Sequence, residues 1–184
     1  AVGLLNDLET TYEPTSLFDA QGKTIIPGLI DAHAHLLNLG ISMQQVDLVG
    51  SESYQEVLKR VITFQENNNS DYIIGRGWDQ NDWEVKEFPT KKELDFIFPN
   101  TPVSLTRIDG HAMIVNSKAI EMAGITKNTK IAGGEVILKN DEPSGILIDT
   151  PMGLVWNTYP EEDKAYYIKA LKDAEKYSLP AALD

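Results

Sequence analysis

From residue 53 the apolar positions recur three and four apart: Tyr54, Val57, Leu58, Val61 and Ile62, with Gln65 continuing the spacing. That rhythm predicts an amphipathic helix, and Ser53 with Glu56 forms a capping-box pattern at its start. Asn67-Asn68-Asn69-Ser70 ends it. Tyr72 to Gly75 reads as a strand running into a loop rich in Gly, Trp and Asp. Pro89-Thr90 opens a short helix with a second capping box, Thr90 and Glu93, burying Leu94, Ile97 and Phe98. Pro102 to Ile108 predicts a further strand that Met113 to Val115 continues. Asn116 caps a short helix that Gly124 stops, with a polar cap at the start and glycine past the end. Glu135 to Leu138 and Gly145 to Ile148 bracket residues 139–144 as a hairpin with a longer loop. The last element is an amphipathic helix over about 161–177, with Tyr167, Leu171, Ala174 and Tyr177 as its apolar stripe.

The start of the chain follows a different rhythm. Leu17-Phe18-Asp19 and Lys23 to Ile26 flank Ala20-Gln21-Gly22, so short strands joined by turns are expected there. Pro27-Gly28 then punctuates the chain, and an apolar strand is expected from Leu29 to about Leu37. Side chains alternate across a strand, so one face carries Leu29, Asp31, His33 and His35. The other carries the apolar Ile30, Ala32, Ala34 and Leu36.

Composition narrows the classes. The chain has 184 residues, 42% of them hydrophobic, enough for a packed core. A net charge of −12, from 28 acidic and 16 basic residues, repels phosphate backbones and argues against a nucleic-acid partner. No apolar run approaches the roughly 20 residues of a membrane-spanning helix, so no membrane partner is expected. With no cysteine, any metal must be held by histidine, carboxylate or modified lysine.

That restriction directs attention to Asp31-Ala32-His33-Ala34-His35. A bare His-x-His pair is satisfied as readily by ordinary hydrogen bonds as by a metal. Here Pro-Gly, an apolar pair and an aspartate precede it within one expected strand. Two imidazoles on one face, about 6.6–7 Å apart at the backbone, converge on one ion through bonds of roughly 2.0–2.1 Å. His33 and His35 are therefore the candidate metal ligands.

The run Gly22 to Leu36 resembles the signature of the amidohydrolase superfamily. Gly75-Arg76-Gly77-Trp78-Asp79-Gln80-Asn81-Asp82-Trp83, Phe88-Pro89-Thr90 with Glu93-Leu94-Asp95, and Arg107-Ile108-Asp109-Gly110-His111-Ala112 with Val115-Asn116-Ser117 narrow the likeness to amidohydrolase family 3. Gly133-Gly134 and Pro143-Ser144-Gly145-Ile146-Leu147 complete the series. This branch includes enzymes similar to N-substituted formamide deformylase.

The resemblance implies an α/β fold: the N-terminal part of a metal-dependent hydrolase (β/α)8 barrel, its first strand and helix, with small β-domain strands and a large α/β insertion. Residues 1–26 would belong to a composite β-sandwich domain and 27–44 to the first barrel strand and its metal-binding end. Residues 45–158 would form the insertion, and 159–184 the first barrel helix. It also implies one or two divalent ions, zinc being the expected metal, and a small amide-type substrate. A homo-oligomer and a cytoplasmic location are expected, with secretion left open because Ala1-Val2-Gly3 reads as mid-domain sequence.

The family's site further requires a carboxylated lysine or acidic bridge, two more histidines and a late aspartate. Only His111 remains here as a third imidazole, so the chain reads as an N-terminal fragment, inactive alone. The reaction expected of the parent protein is hydrolysis of non-peptide carbon–nitrogen bonds, in amides or formamides, by a metal-activated water. The alternative is a non-catalytic regulatory or interaction module on the same scaffold.

Two further groups carry two readings each. Trp78, Asp79, Asp82 and Trp83 either pack indoles beneath a loop with the acids in water, or supply an aromatic wall for substrate with Asp79 as its polar contact. Arg107, Asp109 and His111 alternate at a strand end. They form either a structural ion pair with a satisfied histidine or a catalytic group, His111 polarising a substrate carbonyl or holding its leaving group. Asp149, ending the hairpin strand, is a further carboxylate that could face a barrel.

Overall fold

The computed structural model describes residues 2–13, 15–16, 18–24, 26 and 33–178. The chain divides into two units, Ala1–Ala34 and His35–Asp184.

In the first unit, the expected short strands are replaced near the start by a helix, α1 (Leu5–Thr11). Leu4, Leu5 and Leu8 have helical spacing, and the Thr10 and Thr11 hydroxyls donate to the Asp7 carbonyl, at 2.9 and 2.8 Å. The turn at Gln21-Gly22 forms as read. Both residues have positive φ, 52° and 80°, and Lys23 N–H donates to the Ala20 carbonyl at 2.9 Å. The flanking strands do not form among the described residues. Residues 27–32, the greater part of the expected Leu29–Leu37 strand, lie outside them.

The end of that expected strand is helical. His35 is the N-cap of α2 (Leu36–Ser42). The reason is tertiary: Gly40 is buried where α2 packs against α7 (Lys164–Ser178), whose Ala170 and Ala174 are fully buried. A Cβ built on Gly40 would lie 2.0 Å from the Ala170 carbonyl oxygen. Only glycine permits that approach. Among the described side chains of α7, Ala170 and Ala174 are buried, so Ala174 holds its place in the expected stripe, whereas Tyr167 and Leu171 are exposed; the side chain of Tyr177 lies outside the described residues. The helix begins at Lys164, not 161, because the Asp163 carboxylate accepts from Tyr166 N–H at 2.9 Å and so caps it.

The second unit is built on one six-stranded sheet in the order β1-β2-β3-β4-β6-β5. The strands are β1 (Val46–Asp47), β2 (Ile73–Trp78), β3 (Val103–Arg107), β4 (Ala112–Val115), β5 (Gly134–Lys139) and β6 (Glu142–Asp149). The first three are mutually parallel, while β4 runs antiparallel to β3 and to β6, and β5 runs antiparallel to β6. Met113–Val115 is therefore not a continuation of the preceding strand but a reversal of it. The turn between β5 and β6 is also tighter than expected. Asn140 and Asp141, with φ of 54° and 64°, make a two-residue turn that lets Lys139 pair with Glu142.

Strand alternation divides the core between the two sheet faces. Ala112 and Ile114 of β4 join Ile146, Leu105, Ile73 and the helix α3 (Tyr54–Asn68) on one side. Met113 and Val115 join Leu147, Val136, Met152 and Val155 on the other. All four residues of β4 are buried, as a central strand covered on both faces requires.

The expected caps mostly form. Ser53 Oγ accepts from Glu56 N–H at 3.2 Å, and the Glu56 carboxylate accepts from Glu52 N–H at 2.8 Å. Asn116 Oδ1 accepts from Ala119 N–H at 3.0 Å to start α5 (Ser117–Met122). Gly124, at φ +63°, ends α5 in a Schellman arrangement, with Ile125 N–H donating to the Ile120 carbonyl at 3.1 Å. The second capping box does not form. The helix α4 (Lys92–Ile97) has Lys91 as its N-cap with no side-chain cap. Thr90 instead accepts from the Tyr54 hydroxyl through its carbonyl, and Lys91 N–H donates to the Ser144 carbonyl.

Candidate functional site

Strand direction gathers polar residues at one edge of the sheet. Because β2, β3 and β6 run the same way, their carboxyl ends lie together, beside the start of β4. Asp79 follows β2, Arg107 ends β3, Asp109 and His111 lie in the connection to β4, and Asp149 ends β6. In open α/β sheets, ligands favour such carboxyl ends.

Arg107 and Asp109 form a bidentate pair, Nε to Oδ1 at 3.0 Å and Nη2 to Oδ2 at 2.7 Å. The Arg107 guanidinium also lies over the Phe88 ring, 5.7 Å from its centroid. Its hydrogen bonds lower the Asp109 carboxyl to about 2, with His111 N–H, donating to Oδ1 at 3.0 Å, acting in the same direction. The pair in turn raises Arg107 above its ordinary value. Asp109 thus stays ionised and anchors the backbone of His111.

The His111 side chain is 70% exposed. Its Nδ1 lies 2.7 Å from Asp149 Oδ1, while Asp149 N–H donates to the His111 carbonyl at 3.1 Å. Asp149 has φ +55°, a left-handed conformation that aspartate tolerates better than most residues. Asp109 and His111 stand out in the sequence, but the 38-residue link to Asp149 does not. A carboxylate closing a strand carries no signal of its partner two strands' length away.

The tryptophan loop is organised from below. Trp78 and Trp83 are buried, their indole N–H groups donating to the Leu105 carbonyl at 2.7 Å and the Ser51 carbonyl at 2.8 Å. Their ring centroids lie 5.9 Å apart, and Trp78 meets Phe88 edge-on. Asp79 caps the following 3-10 turn (Gln80–Asp82), accepting from Asn81 N–H at 2.9 Å and Asn81 Nδ2 at 2.8 Å. Beside these strand ends lies a cavity of about 560 Å³, bordered by Leu39, Met43, Asp47, Val49, Arg76 and Ile108. Arg76 is fixed there by donating to the Ile108 carbonyl at 2.9 Å.

His33 lies in a bend one residue before the end of the first unit, and His35, opening the second, precedes α2; both are exposed. Among the described residues no group of three or more His, Asp or Glu is placed to hold a metal ion. Two histidines fall short of the three or four protein ligands of a zinc site, so the described residues do not fit a complete metal site.

A mixed α/β chain with one six-stranded sheet and a polar edge at its parallel strand ends is the class the fold defines. Residues 16–181 match the amidohydrolase family, and the chain belongs to that family. It is 36% identical to the protein YtcJ of Bacillus subtilis (strain 168), over 88% of this chain and 31% of that protein. It is 30% identical to N-substituted formamide deformylase of Arthrobacter pascens, over 80% of this chain and 29% of that enzyme. In structure it resembles an uncharacterized metal-dependent hydrolase from Pyrococcus horikoshii. The TM-score is 0.60 and the identity 28%, covering 85% of this chain and 29% of the other. The chain spans about a third of the length of the curated relatives it matches.

Proposed function

We propose that the protein carrying this chain is a metal-dependent hydrolase acting on carbon–nitrogen bonds of small non-peptide amides or formamides. The observation that carries this reading is the family match over residues 16–181, which takes in Asp31-Ala32-His33-Ala34-His35. Likeness to a formamide deformylase over 80% of the chain supports the substrate class. In this reading the chain contributes His33 and His35 as two ligands to a divalent ion, zinc being the metal proposed. The remaining ligands and the barrel would come from beyond these residues.

The chain's own part is to bind and orient the substrate. Asp109, ionised and clamped by Arg107, fixes the backbone of His111. His111 then offers its imidazole to the N–H at the leaving nitrogen of the substrate amide. Asp79 is a polar contact from the adjoining loop, and Trp78 and Trp83 shape that loop from beneath.

The test is metal content and turnover of formamide substrates by the protein expressed from its whole reading frame, with and without His33→Ala and His35→Ala. Loss of both metal and turnover in the double variant is expected. Unchanged metal and turnover would sink the reading.

A further inference from the structure

We infer that Asp149 is a positioning residue that holds His111 as the Nδ1–H tautomer and leaves Nε2 as a hydrogen-bond acceptor. The argument begins with the chemistry of the pair. An ionised carboxylate only accepts hydrogen bonds, so in a contact of 2.7 Å between Nδ1 and Asp149 Oδ1 the proton belongs to Nδ1. A neutral imidazole carrying its proton on Nδ1 has a lone pair on Nε2.

Three fixed points make this orientation specific. Asp109 Oδ1 accepts from His111 N–H at 3.0 Å, the His111 carbonyl accepts from Asp149 N–H at 3.1 Å, and the side chains close the ring between β4 and β6. Asp109 is itself held by both nitrogens of the Arg107 fork. The backbone of His111 is thus clamped at its donor and its acceptor, and only rotation of the side chain is left for Asp149 to settle. Asp149 does so from a left-handed backbone, φ +55°, that most residues adopt only at a cost. With the side chain 70% exposed, the accepting nitrogen serves something outside the core. Its complement is a hydrogen-bond donor, such as the N–H of an amide or the O–H of a hydrated carbonyl. The catalytic use of that acceptor rests on the hydrolase reading above, whereas the tautomer does not.

The experiment is long-range proton–nitrogen correlation spectroscopy of the histidine rings in the full chain, labelled with nitrogen-15, at a pH where His111 is neutral. The chain has three histidines, and His111→Gln identifies the resonances of interest by their loss. The expected wild-type pattern is a protonated Nδ1 and an unprotonated Nε2. In Asp149→Gly, where glycine accepts the positive φ without the carboxylate, the pattern should revert to protonated Nε2. A wild type with protonated Nε2 overturns the inference, and so does an Nδ1–H form that persists in Asp149→Gly. Should the glycine variant not fold, the wild-type tautomer decides alone. Absent amide turnover by the protein expressed from its whole reading frame, with the Nδ1–H form intact, would count against the hydrolase reading and leave this one standing.

Discussion

Gly40 of α2 lies so close to the backbone of Ala170 in α7 that a Cβ at position 40 would sit 2.0 Å from the Ala170 carbonyl oxygen. The two helices meet through backbone and small side chains, and just past the end of α2 Gln44 donates to Asp173 of α7, 129 residues away, at 3.0 Å. Asp173 is held below the ordinary carboxylate range mainly by its hydrogen bond from Lys169, with Gln44 adding to it.

Gly40→Ala is therefore expected to destabilise the chain. Alanine gains about 1 kcal/mol of helix propensity over glycine, but overpacking against a backbone carbonyl costs roughly 1–3 kcal/mol and forces α2 and α7 apart. Gly153 in α6 (Met152–Trp156) is the control, since a Cβ there meets nothing within 4 Å. Thermal unfolding should show a lowered Tm for Gly40→Ala and an unchanged or raised one for Gly153→Ala. Equal Tm values would refute the packing account.

The Arg107–Asp109 pair predicts an acid dependence of stability. Asp109 is lowered to about 2 in the folded chain, chiefly by hydrogen bonds from Arg107, against about 3.9 for a free aspartate. A depressed carboxyl contributes stability that is complete above the unfolded value and is lost as pH falls through the folded one. The window is thus about pH 4 down to 2, and the gain is small because the Asp109 side chain is 42% exposed to screening solvent. Carboxyl titration followed by carbon NMR should place Asp109 near 2 in the wild type and return it toward the ordinary range in Arg107→Leu. An Asp109 value that does not move in that variant contradicts the assignment.

Asn116 predicts a large loss from a single truncation. Its buried side chain makes four hydrogen bonds, accepting from Val103 N–H and Ala119 N–H at 3.0 Å each and donating to the Phe98 and Thr101 carbonyls at 2.9 Å each. Asn116→Ala leaves all four partners unpaired, at roughly 1–3 kcal/mol for each buried group left unsatisfied, so a total of several kcal/mol is expected. Asn116→Asp keeps both acceptor bonds but turns a carboxylate oxygen toward two carbonyls, so it too should unfold at lower urea. A midpoint of urea unfolding within error of wild type for either variant would refute this role.

The sequence determines those features that a single segment is sufficient to decide. Ser53 with Glu56 caps α3, Asn116 starts α5 and Gly124 ends it, because caps and left-handed stops involve residues within one turn of each other. Tyr54, Val57, Leu58 and Val61 are buried as their spacing required. The sequence also carried the family, through an ordered series of motifs from residue 22 to 147 that the match over 16–181 bears out.

What only the tertiary structure decided depends on contacts distant in sequence. Leu36–Ser42 is a helix because Gly40 meets Ala170, and the apolar run preceding it gave no sign of that partner. Thr90 and Glu93 have the spacing of a capping box, yet Ser144 and Tyr54 claim the backbone of Thr90 and Lys91 instead. Trp78 and Trp83 donate their N–H groups to the carbonyls of Leu105 and Ser51, partners that lie 27 and 32 residues away and that nothing in their own loop announces. Asp109 and His111 were candidates from residue type and alternation alone. Their geometry became defined when strand order brought Asp149 to the same edge, because hydrogen bonding depends on proximity in space and strand pairing sets that proximity.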